Sequence, residues 1–155
     1  MSAGKSNSPD DASDREIVTT RVFNAPRELV WKVRTEPEHI AQWWGPDGFT
    51  NTIHQMDVSV GGVWEFIMHG PNGVDYKNKS VYSEVVKPSL LVYRHVSGPA
   101  FTATVTFEEL DGTTEVSMRM VFDSAQLRNQ VVEEYGAIEG AKQTFNRLSE
   151  YLSQM

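Results

Sequence analysis

Cysteine is absent from the 155 residues. That removes disulfides, thiol nucleophiles and cysteine-ligated zinc, and it accords with a reducing compartment. Basic runs are absent too: 14 Lys plus Arg face 21 Asp plus Glu, a net charge of -7. Such a surface repels phosphate backbones and anionic lipid, so neither nucleic acid nor a membrane surface is expected as a partner. No window approaches the length of a membrane span, and the opening MSAGKSNSPDDASD has no apolar stretch of the kind a secretory signal needs. A cytoplasmic location is the expectation. The chain also lacks internal repeats, a βαβ alternation, a G-x-S-x-G elbow, a phosphate loop and a dinucleotide fingerprint. Serine-type hydrolysis, phosphoryl transfer and hydride transfer therefore have no support. His39, His54, His69 and His95 are scattered without H-x-x-H or H-E-x-x-H spacing, so no metal and no cofactor are expected.

What is present reads as one ordinary globular domain. Hydrophobic residues make up 39% and charged residues 23%, with seven Phe, five Tyr and four Trp, enough to bury a real core at this length. Residues 1–14 are Ser, Asp, Asn, Gly and Pro with almost nothing to bury, and are expected to form a disordered tail. Residues 15–155 are expected to form the domain.

The β-branched run over 16–23 predicts a first strand. Its inward parity is open, because Ile17 and Phe23 compete with Val18 and Val22. Asn24-Ala25-Pro26 ends it and starts a short helix over 27–34 with Val30 and Trp31 on its inner side. Pro37 breaks that helix, and a second one through His39, Ile40 and Trp43 stops at Gly45-Pro46. The pattern then turns to strands at 50–58, 63–68, 76–86, 90–96 and 101–110, with a last one through Val116, Met118, Met120 and Phe122. Gly61-Gly62, Pro71-Asn72-Gly73, Lys87-Pro88-Ser89, Ser97-Gly98-Pro99 and Asp111-Gly112 mark the turns. The clearest alternation sets Phe101, Ala103, Val105 and Phe107 against Thr102, Thr104, Thr106 and Glu108. Asp123-Ser124 caps a short helix that leads into a long amphipathic one over 133–155. On the latter Ile138, Ala141, Phe145, Leu148 and Leu152 share a face, and Lys142, Asn146, Arg147, Glu150 and Gln154 fill the back.

The chain is thus read as α+β: an antiparallel meander with one apolar face, lidded by the only element large enough to cover it. The first half of the long helix is thin, with Gly136, Ala137, Gly140, Ala141 and Thr144. Two readings follow, a cavity at that end or simply a closer helix–sheet contact.

The run Ala25 to Trp31, then Thr35 to Pro46 with its Trp-Trp-Gly-Pro end, then Asp57, Gly61-Gly62 and Trp64, then Glu84 and the Val86-Lys87-Pro88 turn, resembles the family related to the C-terminal domain of the activator of the heat-shock-protein-90 ATPase. The likeness covers roughly residues 15–154. It implies the START-like, helix-grip fold: a curved seven-stranded antiparallel sheet wrapped around a long C-terminal helix, with two short helices after the first strand. The superfamily includes lipid carriers, hormone receptors, aromatase/cyclases and chaperone regulators. This sequence departs from the family's D-x-R-x-G-G pattern by carrying Ser59 at the Arg position. It also has Arg34 where the residue before Thr35 is usually apolar, implying a charge near a pocket mouth or in solvent.

Function is therefore expected in a cavity between sheet and helix that takes a small apolar or amphipathic ligand. Its expected wall is Trp64, Phe66, Met68, Phe101, Val105, Met118, Met120, Ala141 and Phe145, with Trp44 at the edge and Tyr82, Glu84 or His95 as polar anchors. One of the adjacent indoles Trp43 and Trp44 should pack inward and the other lie at an opening. Tyr82 and Glu84 share a strand parity, and either that pair or Val81 and Val85 faces inward. The resemblance also implies a chaperone partner, and a cyclase or dehydratase using Glu84 or a histidine is a third expectation. No catalytic residue is assigned.

Overall fold

A seven-stranded sheet, ordered β1-β7-β6-β5-β4-β3-β2 and antiparallel throughout, carries the molecule. The computed structural model describes residues 13–155, so the tail expected over 1–14 lies outside the described residues except for Ser13 and Asp14. In chain order the elements are β1 (Glu16–Phe23), α1 (Arg27–Thr35), α2 (Pro37–Ile40), β2 (Thr50–Met56), β3 (Val63–His69), β4 (Asp75–Val86), β5 (Leu90–His95), β6 (Phe101–Leu110), β7 (Thr113–Phe122), α3 (Ala125–Tyr135) and α4 (Ala137–Ser153). The strands from β2 to β7 form a meander, which the turn chemistry implies, and β1 closes onto β7 with Ile17 opposite Met120.

The parity of β1 goes to Ile17 and Phe23, which are buried, while Val18 and Val22 are half exposed. Only the first pair can meet the core face shared by Val116, Met118 and Phe122 on β7 and Ala103, Val105 and Phe107 on β6. Trp31 of α1 packs edge-on to Phe107 at 5.3 Å, and Phe145 of α4 packs edge-on to Phe23 at 5.5 Å. Both helices thus seat large rings on the sheet, where each buried ring contributes about 2 to 3 kcal/mol.

Strand β4 does not keep one parity along its length. Its pairing with β5 shifts register between Tyr82 and Glu84, a β-bulge in which one extra residue inverts the alternation. Tyr82 is buried at 1% exposure and Glu84 stands in solvent. The expectation that the two share a face is wrong for this reason, and Glu84 is not an inward anchor.

The C-terminal helix is shorter than 133–155. Gly136 adopts a left-handed conformation (φ 59°), ending α3 through a bond from its N–H to the Val132 carbonyl and opening α4. The helix capped by Ser124, whose Oγ accepts from the Leu127 N–H, consequently runs 11 residues. At this break Ala137, not Ile138, packs onto the small core cluster of Ile17, Phe122 and Val131, and Ile138 is exposed. The buried face of α4 is Ala141, Thr144, Phe145, Leu148 and Leu152. The thin half is used for close approach: a side chain at Gly140 would meet Pro46 Cγ at 3.3 Å. Among the described residues no helix is long and apolar enough to cross a membrane.

Candidate functional site

The inward residues of β3, β4 and β5 build an aromatic shell beneath α1 and the loop after α2. Trp64 stacks on Phe66 at 4.5 Å, and Tyr93 lies edge-on to both Trp64 (5.7 Å) and Tyr82 (5.8 Å). From the loop, Trp43 is fully buried and donates its Nε1–H to the Val33 carbonyl at 3.1 Å. Its neighbour Trp44 is only half buried and sits edge-on to Trp64 at 5.1 Å. One indole therefore locks the loop to α1, and the other roofs the shell.

Inside this shell sits a charge. Arg34 is 4% exposed, with its guanidinium carbon 4.9 Å from the Trp44 ring, 4.9 Å from Trp64 and 5.6 Å from Tyr93. It lies neither at a mouth nor in solvent, because it is three residues after Trp31 and four after Val30 and so shares their inward helical face. Cation–π contacts of this kind contribute about 0.5 to 2 kcal/mol each, and the Tyr82 and Tyr93 hydroxyls lie near enough to turn lone pairs toward the guanidinium, though its Nη1 and Nη2 reach no partner at full hydrogen-bond geometry.

Seven buried polar side-chain atoms among the described residues have no hydrogen-bond partner, and five of them belong here: Nη1 and Nη2 of Arg34, Trp64 Nε1, Ser80 Oγ and Tyr82 Oη. Trp64 and Ser80 are cross-strand neighbours, as are Tyr82 and Tyr93. A buried unpaired donor costs about 1 to 3 kcal/mol, and a charged one more. Burial raises the pKa of Tyr82 and of Tyr93 above 10.0, and the positive field of Arg34 together with hydrogen bonding from its side chain opposes this without overcoming it. Both phenols are protonated at neutral pH, so the cluster holds one cation among neutral hydroxyls and N–H donors, with no anion.

The turn between β2 and β3 aims Tyr82. Gly61 N–H donates to the Tyr82 carbonyl at 2.8 Å, and Tyr82 N–H donates to the Gly62 carbonyl at 3.0 Å, next to the bulge. Ser59 closes the same turn through its Oγ on Asp57 Oδ1 at 2.8 Å.

Of the expected wall, Trp64, Phe66, Tyr82, Val105, Met118, Ala141 and Phe145 share the main core cluster, and Trp44, Met68, Phe101 and Met120 pack on it partly buried. Tyr93 and Ser80 were missed, and Arg34 was expected at a mouth or in solvent, although β5 parity (Leu91, Tyr93, His95) points to Tyr93 and helical spacing from Trp31 points to an inward Arg34. The interior between sheet and α4 is occupied by these side chains. Two hollows are superficial and polar: about 660 Å³ along Gln126, Asn129, Gln130, Glu133 and Glu134, and about 180 Å³ at Gln42, Arg147, Glu150, Tyr151 and Gln154.

The histidines do not converge, and among the described residues no group of three or more His, Asp or Glu forms a metal cage. His39 bonds Tyr151 (2.7 Å), and His69 bridges Thr52 (2.8 Å) and Asp75 (2.7 Å). His95 lies opposite Ser80 but is spoken for: it stacks on Phe101 at 4.7 Å, its Nδ1–H donates to the Pro99 carbonyl at 2.8 Å, and its Nε2 lies 2.8 Å from Asn78. Burial lowers its pKa below 6.5, against the pull of that carbonyl. The folded protein thus holds this proton less tightly than the unfolded chain. The stability it confers is full above pH 6.5 and is lost as pH falls through the folded value. Urea unfolding midpoints between pH 7.5 and 5 should drop more steeply for the natural protein than for His95→Gln; parallel profiles would refute this role.

The model for "Activator of Hsp90 ATPase homolog 1-like protein" matches residues 24–153. The chain belongs to this family. Solved structures agree on the fold of this family member. A Mycobacterium smegmatis protein is 26% identical, with 92% of this chain and 93% of that one covered at a TM-score of 0.82. A Nitrosomonas europaea protein is 24% identical over 92% and 96%, TM-score 0.82. An Arthrobacter aurescens protein is 23% identical over 94% and 90%, TM-score 0.84. A comparison with curated protein sequences returned no significant match.

Proposed function

We propose that this family member binds a small amphipathic molecule at the aromatic enclosure beneath α1 and the loop after α2, where the Trp44 ring swings aside to admit it, with its apolar body against the rings and its polar end at Arg34 and Tyr82. The observation that carries this reading is the concentration of five unpartnered buried polar atoms in one aromatic enclosure. A protein selected only for stability would place apolar groups there, since a core of matched volume without the charge is as stable or more so. Entry is under Trp44, which alone among the three rings around Arg34 reaches the surface.

The test is a titration of the full chain with decanol, decanoate, 2-naphthol and 2-naphthoate, followed by tryptophan emission and native mass spectrometry. Trp44 and Trp64 lie against the site, so at least one probe should give a saturable emission change with one-to-one stoichiometry. Absence of saturable binding by all four would overturn the proposal.

A further inference from the structure

We propose that the polar end of the ligand is a carboxylate and that Arg34 selects it; this rests on the ligand-binding reading above and names its chemical class. The donor census comes first. The two terminal nitrogens of Arg34 and the indole nitrogen of Trp64 can only donate, while the hydroxyls of Tyr82 and Ser80 can donate or accept but carry no charge. What the cluster lacks is an anion.

Charge narrows the choice. The ion pairs among the described residues are His39 with Glu36, His69 with Asp75, Arg94 with Asp123 and Arg119 with Glu16, so no carboxylate among the described residues is paired with Arg34. The π-faces of Trp44, Trp64 and Tyr93 engage its charge but accept no in-plane N–H bond. A neutral alcohol or amide would satisfy one donor and leave the cation uncompensated; a monoanion satisfies both demands.

Shape narrows it again. The guanidinium is a planar fork that matches the two oxygens of a carboxylate in a bidentate pair. One cation in an aromatic enclosure suits a planar monoanion on an apolar body, whereas a phosphate dianion would bring more charge and hydration than Arg34 can offset. The ligand class is therefore an amphipathic carboxylic acid, aliphatic or aromatic.

Calorimetric titration at pH 8 and low salt with two isosteric pairs, decanoate against decanamide and 2-naphthoate against 2-naphthamide, tests this on the unaltered chain. The acid of whichever pair binds should be at least about tenfold tighter than its amide, the discrimination a buried charged hydrogen-bonding site confers. Arg34→Met should bring acid and amide within about twofold, through a loss of affinity much larger for the acid than for the amide, and Arg34→Lys should keep part of the preference. Equal affinity for acid and amide in the natural protein would overturn the carboxylate while leaving amphiphile binding standing. Failure of both pairs and of decanol would remove both readings. An acid preference that survives in Arg34→Met would overturn the role of Arg34. Because that variant removes an uncompensated buried cation, its melting temperature should not fall; if it does not fold, the acid–amide comparison on the natural chain decides alone.

Discussion

Replacing Gly62 with alanine is expected to cost about 3 kcal/mol, the top of the range for adding one methyl group to a tight site. A Cβ at Gly62 would stand 2.0 Å from the Asp57 carbonyl oxygen, 2.8 Å from its Cγ and 2.9 Å from its carbonyl carbon. The obstacle is backbone, and it is tied down: Asp57 N–H donates to the Val63 carbonyl at 3.0 Å, Ser59 N–H to the Asp57 carbonyl at 2.9 Å, and Gly62 N–H to the Ser59 carbonyl at 2.8 Å. Relief requires breaking that turn. The neighbouring Gly61 is the natural control, because its φ of 83° makes alanine strained while nothing lies within 4 Å of the added atom. Gly61→Ala should therefore cost only about 1 kcal/mol. Urea unfolding of both variants gives the comparison, and a larger loss at Gly61 than at Gly62 would sink the steric account. Because the Gly62 carbonyl receives the Tyr82 N–H, Gly62→Ala should also disturb the near-ultraviolet circular dichroism of the tyrosines at denaturant levels where the fold persists.

That coupling explains which parts of the molecule were legible in the sequence. Strand positions and turns were readable because period-two alternation and Gly or Pro punctuation are local signals, and the element order follows from them. The resemblance carried in Trp43-Trp44-Gly45-Pro46 and Gly61-Gly62 adds the same fold. Glu84 was misplaced because a bulge is a property of a strand pair, and neither Tyr82 nor Glu84 announces the extra residue that separates their faces. The break at Gly136 was hidden because that glycine was read as one of several small residues in a thin helix end, and the apolar period that marks the true helix begins only after it. Arg34 is the instructive case. Its spacing from Val30 and Trp31 put it inward all along, but a charged residue invites a solvent reading unless the surrounding rings are known, and those come from strands more than 25 residues away. The site is a tertiary object built from residues whose individual types suggest either core or surface.

The same lesson applies to Arg147, which the amphipathic pattern of α4 places among solvent-facing residues. Its guanidinium instead reaches the loop after α2, donating from Nη1 to the carbonyls of Trp44 (3.3 Å), Gly45 (2.9 Å) and Pro46 (2.9 Å) and from Nη2 to Phe49 (3.0 Å). Residues between α2 and β2 have no regular structure to absorb these carbonyls, so one cation on α4 does the work a strand or helix would otherwise do. Asn51 adds a bond from its side-chain amide to the Trp44 carbonyl at 2.8 Å. Arg147→Met should therefore cost about 3 kcal/mol, a value for several charge-assisted bonds lost together and discounted for partial exposure. Arg147→Lys should fall between, since a point-like ammonium cannot span the acceptors that the planar fork reaches. Hydrogen exchange should accelerate over residues 41–49 before any other segment, and Trp44 emission should shift to longer wavelength as its ring gains water. Unchanged exchange in that loop would show that Arg147 is not its anchor. The variant also separates the two motions open to the roof of the site: if ligand entry needs only rotation of the Trp44 ring about its own side-chain bonds, association rates stay level in Arg147→Met, whereas if the backbone must lift they rise.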